Sequence, residues 1–197
     1  LESAALLPAL FAPEDSGLDQ AGLVEQARRG APGAAEALWR SQSRPLIRTA
    51  IALGVRPEDA EDVVQESLLH AFSQFDRFDS TRSPFSLWLH RILVGRCSNR
   101  RRAARRFMTA VARLAGVERR DPPIAPDQAM ERREATRALE ALVKDLPPRR
   151  RAVWALTQIS GLSTAEVAGI LGMTEATVRS HLRHAAESMR RAMEVSG

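Results

Sequence analysis

The sequence predicts an all-α protein: two small helical domains joined by a flexible linker, the C-terminal one containing a helix-turn-helix. Three observations carry this. Apolar residues recur at helical spacing along most of the chain, and no alternating strand pattern occurs. Gly116, Pro122, Pro123 and Pro126 interrupt the pattern between two periodic stretches. Near the C-terminus, Ser163 to Ala185 has the layout of two short helices and a tight turn.

That last stretch is the most informative. Ser163-Thr164-Ala165-Glu166 has capping-box spacing, so a helix begins there. Val167, Ala168, Ile170 and Leu171 give it one apolar face, and Gly172 suits the left-handed position that ends it. Thr174 can cap the next helix, in which Val178 and Leu182 face inward. Small Ala168 lies where the two helices cross. The outward positions are Glu175, Ala176, Thr177, Arg179, Ser180, His181, Arg183 and His184, short or basic as contact with a DNA major groove requires.

The chain has 197 residues, enough for one or two domains with real cores, and a net charge of +5. Its basic residues are mostly clustered arginines, which favours a polyanionic partner. The single cysteine, Cys97, excludes an intramolecular disulfide and a cysteine-pair zinc site. No run approaches the roughly 20 apolar residues of a membrane span, so no membrane insertion is expected. Leu1 to Phe11 is apolar but lacks a basic start and a clear cleavage site, and the expected location is the cytoplasm.

Taken in order, residues 1–18 form a tail with Pro8, Pro13 and Gly17. Asp19 caps a helix with Leu23, Val24 and Ala27 that stops at Gly30. The next carries Ala34, Ala37 and Leu38. Pro45 should break or kink it, with Ser43 capping a new piece that holds Leu46, Ile47, Ala50, Ile51 and Leu53. Pro57 opens the clearest amphipathic helix, with Ala60, Val63, Val64, Ser67, Leu68, Ala71, Phe72 and Phe75 on one face. Glu58, Asp59, Glu61, Asp62, Gln65 and Glu66 lie on the other. After a loop, Ser83-Pro84 starts a helix with Phe85, Trp88, Leu89 and Ile92 inward. From Arg91 to Arg106 there are seven arginines and no acid. This sorting of charge predicts two partners with opposite demands. The expected domains span 19–106 and 127–197, with 107–126 as linker. The second begins with a helix from Asp127 to Leu142, then one after Pro147-Pro148 with Val153, Trp154, Leu156 and Ile159.

No enzyme chemistry emerges: there is no GxxxxGK[ST] loop and no HExxH, so no catalytic residue, metal or cofactor is expected. His181 and His184 could share a metal only with further ligands, and two polar positions on a groove-facing helix is the stronger reading. The one-turn pair Asp62 and Glu66 lacks a histidine or lysine partner and fits a protein-binding face better than an acid–base site.

Three stretches, DAEDVVQE (59–66), FSLWLHRI (85–92) and Leu146-Pro147 through the helix-turn-helix, together resemble bacterial sigma factors of the extracytoplasmic-function type (ECF, group 4), which keep only regions 2 and 4. The resemblance implies a transcription initiation factor. Its acidic helix would dock on the RNA polymerase core through Asp62, Gln65 and Glu66. The loop Ser80, Thr81, Arg82 and Ser83, with Trp88, Arg91, Arg96, Asn99, Arg100, Arg101 and Arg102, would meet −10 promoter DNA. Thr174, Glu175, Ala176, Thr177, Arg179, Ser180, His181, Arg183 and His184 would read the −35 element. An anti-sigma factor is the further partner implied. The chain departs from the family at Gly95 and Asn99, where members often have asparagine and aspartate, and Gly95 costs the helix about 1 kcal/mol. Two alternatives are a sigma-like decoy that binds an anti-sigma factor and a helix-turn-helix regulator with a sensor domain. The arginines retained at both DNA-facing stretches argue against the first, and the all-helical N-terminal half against the second.

Overall fold

The computed structural model describes residues 20–115, 143 and 145–196. The tail, the Asp19 cap and the helix expected from Asp127 to Leu142 lie outside the described residues. Within them there are seven α-helices and no strand: α1 Gln20–Arg28, α2 Ala34–Ala52, α3 Pro57–Ser73, α4 Phe85–Ala115, α5 Pro148–Trp154, α6 Thr164–Leu171 and α7 Glu175–Ser196. A 3₁₀ turn covers Phe75–Arg77, and a π turn, Ala155–Ile159, continues α5. Among the described residues no helix is long and apolar enough to cross a membrane.

Contrary to the break expected at Pro45, α2 runs unbroken through it. A proline inside a helix costs about 3 kcal/mol. Leu38 and Leu46, eight positions apart on one face, are both fully buried, and each contributes roughly 1.5–3 kcal/mol. Burial along the whole face therefore outweighs the local break. Ser43 caps nothing; its hydroxyl donates to the Trp39 carbonyl at 2.6 Å.

Helix α3 follows its sequence pattern. Pro57 occupies the first turn, and Ala60, Val63, Val64, Ser67, Leu68 and Ala71 are buried. The buried Ser67 hydroxyl donates to the Val63 carbonyl at 2.7 Å. Aromatic rings tie the neighbouring elements together: Trp39 to Phe72, Phe72 to Phe75, Phe75 to Phe85, and Phe78 to both Phe85 and Trp88, with centroids 5.2–6.2 Å apart. Helix α4 continues through Ala115, so the first residues assigned to the linker are helical.

The two helical domains also pack on each other. Leu146, Trp154, Ala155, Ile159, Ala185 and Met189 join Leu53, Val55, Leu93 and Cys97 in one apolar cluster. A second cluster, Val153, Leu156, Val167, Ala168 and Val178, lies within the C-terminal domain, and Val94 touches both. The π turn makes this double use possible. Its wider register, with Ser160 N–H donating to the Ala155 carbonyl at 3.2 Å, sends Ala155 and Ile159 to the shared cluster and Leu156 to the other. Linker composition alone suggested independent domains; it does not report the complementary apolar faces at either end.

Candidate nucleic-acid interface

The helix-turn-helix forms as its sequence dictates. The Ser163 hydroxyl accepts from Glu166 N–H at 3.3 Å, while Ser163 N–H donates to the Glu166 carboxylate at 2.8 Å. Gly172, with φ of 63°, closes α6, a left-handed backbone that glycine adopts without strain. Thr174 Oγ1 accepts from Thr177 N–H at 3.2 Å and so caps α7. Val178 is fully buried, whereas Thr174, Glu175, Ala176, Thr177, Arg179 and Arg183 are exposed. Ser180, His181 and His184 are half-buried. Glu175 steadies the face: its carboxylate accepts from Arg179 at 3.3 Å and from the Thr164 hydroxyl at 3.2 Å.

The surface extends beyond the residues singled out from sequence. Burial lowers the pKa of His181, and the charges of Arg150 and Arg149 from α5 lower it further. These arginines stand in the first turn of α5, where the helix dipole disfavours positive charge. The signal was present as the run Arg149-Arg150-Arg151 after Pro147-Pro148. Arg151 turns inward instead, with its guanidinium donating to the Leu146 carbonyl at 3.1 Å.

On the other domain, the loop before α4 is built on Asp79. Its carboxylate accepts from the Thr81 N–H at 2.9 Å and hydroxyl at 2.6 Å, and pairs with Arg82 at 3.2 Å. Those hydrogen bonds from Thr81 hold the Asp79 carboxyl below its ordinary value. Ser80, Thr81 and Arg82 are exposed and Ser83 is half-buried. Trp88 is half-buried against Phe78 and Phe85. Arg91 is exposed and lies beside Gly169 of α6. Asn99 accepts from Arg102 at 3.2 Å. Arg101 is half-buried near Cys97, whose thiol is pushed up to about 12 by burial.

Asp62, Gln65 and Glu66 are exposed on α3. The structure does not keep the acidic and basic helices apart, however. Arg100 reaches Asp59 at 2.8 Å and Asp62 at 3.6 Å, and Arg96 reaches Glu66 at 3.2 Å. Burial works against the charge of Asp59, but hydrogen bonds and charge from Arg100 and Arg56 outweigh it and hold its carboxyl below 3.8. The two surfaces expected to serve separate partners thus meet along one seam.

Helices throughout the described residues, with a helix-turn-helix preceded by a domain that pairs an acidic with an arginine-rich helix, have the organisation of a sigma-70-type transcription factor. Residues 38–107 match Sigma-70 region 2, and residues 136–189 match Sigma-70, region 4. The ECF RNA polymerase sigma factor SigL of Mycobacterium tuberculosis is 31% identical over 162 residues, 82% of this chain and 89% of SigL. The RNA polymerase sigma factor CnrH of Cupriavidus metallidurans is 31% identical over 170 residues, 83% of this chain and 88% of CnrH. The chain belongs to the ECF family of RNA polymerase sigma factors and is a transcription initiation factor. Two solved structures share its fold. CnrH in complex with the cytosolic domain of CnrY has a TM-score of 0.68 at 22% identity, covering 90% of this chain and 99% of that one. The sigma factor RpoE in complex with the anti-sigma factor NepR, from Bartonella quintana, has a TM-score of 0.60 at 24% identity, covering 84% and 99%.

Proposed function

We propose that α3 docks on the polymerase core through Asp62, Gln65 and Glu66, that the Ser80–Ser83 loop and the arginines of α4 engage the −10 element, and that the first turns of α7 read the −35 element. The domains responsible would span about 19–106 and 127–197. The observation that carries this reading is the exposure pattern of α7: Val178 is fully buried while Arg179 and Arg183 on the same turns face solvent. No bond is made or broken. Binding to unstacked bases offsets their unstacking, a few kcal/mol each, so the protein is a binding factor and no enzyme, acting where the polymerase acts, in the cytoplasm.

The packed arrangement of the two domains is not the one that reads a promoter. The −35 and −10 elements lie roughly 25 base pairs apart, about 85 Å at 3.4 Å per base pair. Here α4 touches α6 and α6 touches α7, and two successive helix packings span only about 20 Å. The domains therefore separate when both elements are read, with the core polymerase setting the distance.

An anti-sigma factor is the third partner. CnrH is seen with the cytosolic domain of CnrY and RpoE with the anti-sigma factor NepR, and a free sigma factor would compete for core continuously. The arginines Arg100, Arg101, Arg102, Arg179 and Arg183 in the two DNA-facing stretches argue against a decoy that binds only such a partner. The docking assignment is tested by Asp62→Arg with Glu66→Arg. The double variant should keep its helical circular dichroism, since exposed substitutions cost little, and should no longer co-elute with core polymerase. Co-elution at wild-type level would overturn the assignment.

A further inference from the structure

Helices α3 and α4 pack so that the acids assigned to docking face the arginines assigned to DNA. Glu66 Oε2 lies 3.2 Å from Arg96 Nη1, and Asp62 Oδ2 lies 3.6 Å from Arg100 Nη2. Asp59 anchors the end of this ladder, 2.8 Å from Arg100, with only 16% of its side chain exposed. Glu66 and Asp62 are 53% and 65% exposed. Pairs as exposed as these are worth about 0–1 kcal/mol, so a competing basic surface exchanges them readily. Asp59, half-buried and paired with both Arg56 and Arg100, keeps Arg100 when Asp62 is drawn away.

We infer that Glu66 is a positioning residue for Arg96: in the free protein it holds this arginine against α3, and docking on a basic surface of the core takes up Glu66 and frees Arg96 for a DNA phosphate, while Arg100 stays on Asp59. This rests on the docking and −10 assignments above, and it makes DNA affinity depend on docking through one shared ion pair. By linkage the dependence is reciprocal: DNA that captures Arg96 bares Glu66 and favours core. No movement of the helices is needed, only an exchange of partners at the seam.

The test uses the free full-length chain, a fluorescein-labelled 20-nucleotide oligo(dT) and a salt series. Neutralising any acid raises affinity somewhat, so Glu61→Gln is the charge-matched control. Glu61 is exposed on the same helix, and among the described residues no α4 arginine pairs with it. Glu66→Gln should bind the oligonucleotide severalfold more tightly than Glu61→Gln and steepen the slope of log K against log salt by up to about 0.7, one further phosphate contact on a single strand. In an Arg96→Ala background the extra gain should vanish, which isolates the pair. Equal effects of Glu66→Gln and Glu61→Gln, or a gain that persists without Arg96, would overturn the inference. If Arg96→Ala and Arg100→Ala weaken promoter opening by the holoenzyme while the glutamate variants behave alike, the coupling alone fails. If those alanine variants change nothing in either assay, the −10 assignment fails with it.

Discussion

Thr49 Oγ1 and Ser160 Oγ lie 2.9 Å apart although 111 positions separate them. Thr49 donates its own proton to the Pro45 carbonyl at 3.0 Å, and a hydroxyl has only one to give. Ser160 is therefore the donor, from the end of the π turn to the buried Thr49 of α2. Ser160→Ala should lower stability by about 1 kcal/mol, the net worth of one such bond, and shift the free protein toward more extended forms. Thermal unfolding and small-angle scattering check both parts.

Gly95 gives a prediction of opposite sign. It sits exposed within α4, and a Cβ there would meet no atom within 4 Å. Gly95→Ala should stabilise the protein by about 1 kcal/mol through helix propensity alone. Urea unfolding checks this. Gly54 is the contrasting case. Its φ is +87°, and a Cβ would fall 2.1 Å from the Arg151 guanidinium at the domain seam, so Gly54→Ala should destabilise.

On α7, Arg179→Ala and Arg183→Ala should each weaken binding to −35 duplex in the holoenzyme. A base-edge arginine should relax specificity at one position by about 1–3 kcal/mol. A phosphate arginine should lower affinity on all sequences and reduce the salt slope by about 0.9. Footprinting over a salt series separates the two, and unchanged −35 binding in both variants would count against α7 as the reader.

His90 makes stability depend on pH. Burial depresses its pKa below 6.5, against the Ser86 carbonyl at 2.7 Å and the charge of Glu166 on α6, which raise it. The unfolded chain thus binds this proton more readily than the folded one. Stability is full above pH 6.5 and falls as the pH drops below it. His181, also depressed chiefly by burial, adds in the same direction. Urea midpoints between pH 8 and 5.5 should decline in the wild type and decline less in His90→Gln.

The helix-turn-helix was fully legible in sequence because its signals are local: the Ser163–Glu166 box, Gly172 and the Thr174 cap each act within a few residues. Helix α2 was not, since Pro45 is a strong local signal overridden by burial of Leu38 and Leu46 on either side. Charge patterning showed that α3 is acidic and α4 basic, but periodicity does not say which faces meet, so the Glu66–Arg96 and Asp62–Arg100 pairs appeared only in three dimensions. The domain packing was hidden for the same reason. Residues such as Trp154 and Ile159 look like ordinary core positions whichever domain they bury against.

The central claim, that promoter reading requires two separated domains held at a distance set by the polymerase, is tested most directly by run-off transcription on templates whose −35 to −10 spacer is lengthened by three or four base pairs, with binding of the free protein measured in parallel. The account predicts that transcription by the holoenzyme falls sharply with each displaced spacer while the free protein discriminates poorly between promoter and random duplex. Transcription that stays constant across the spacer series would contradict it.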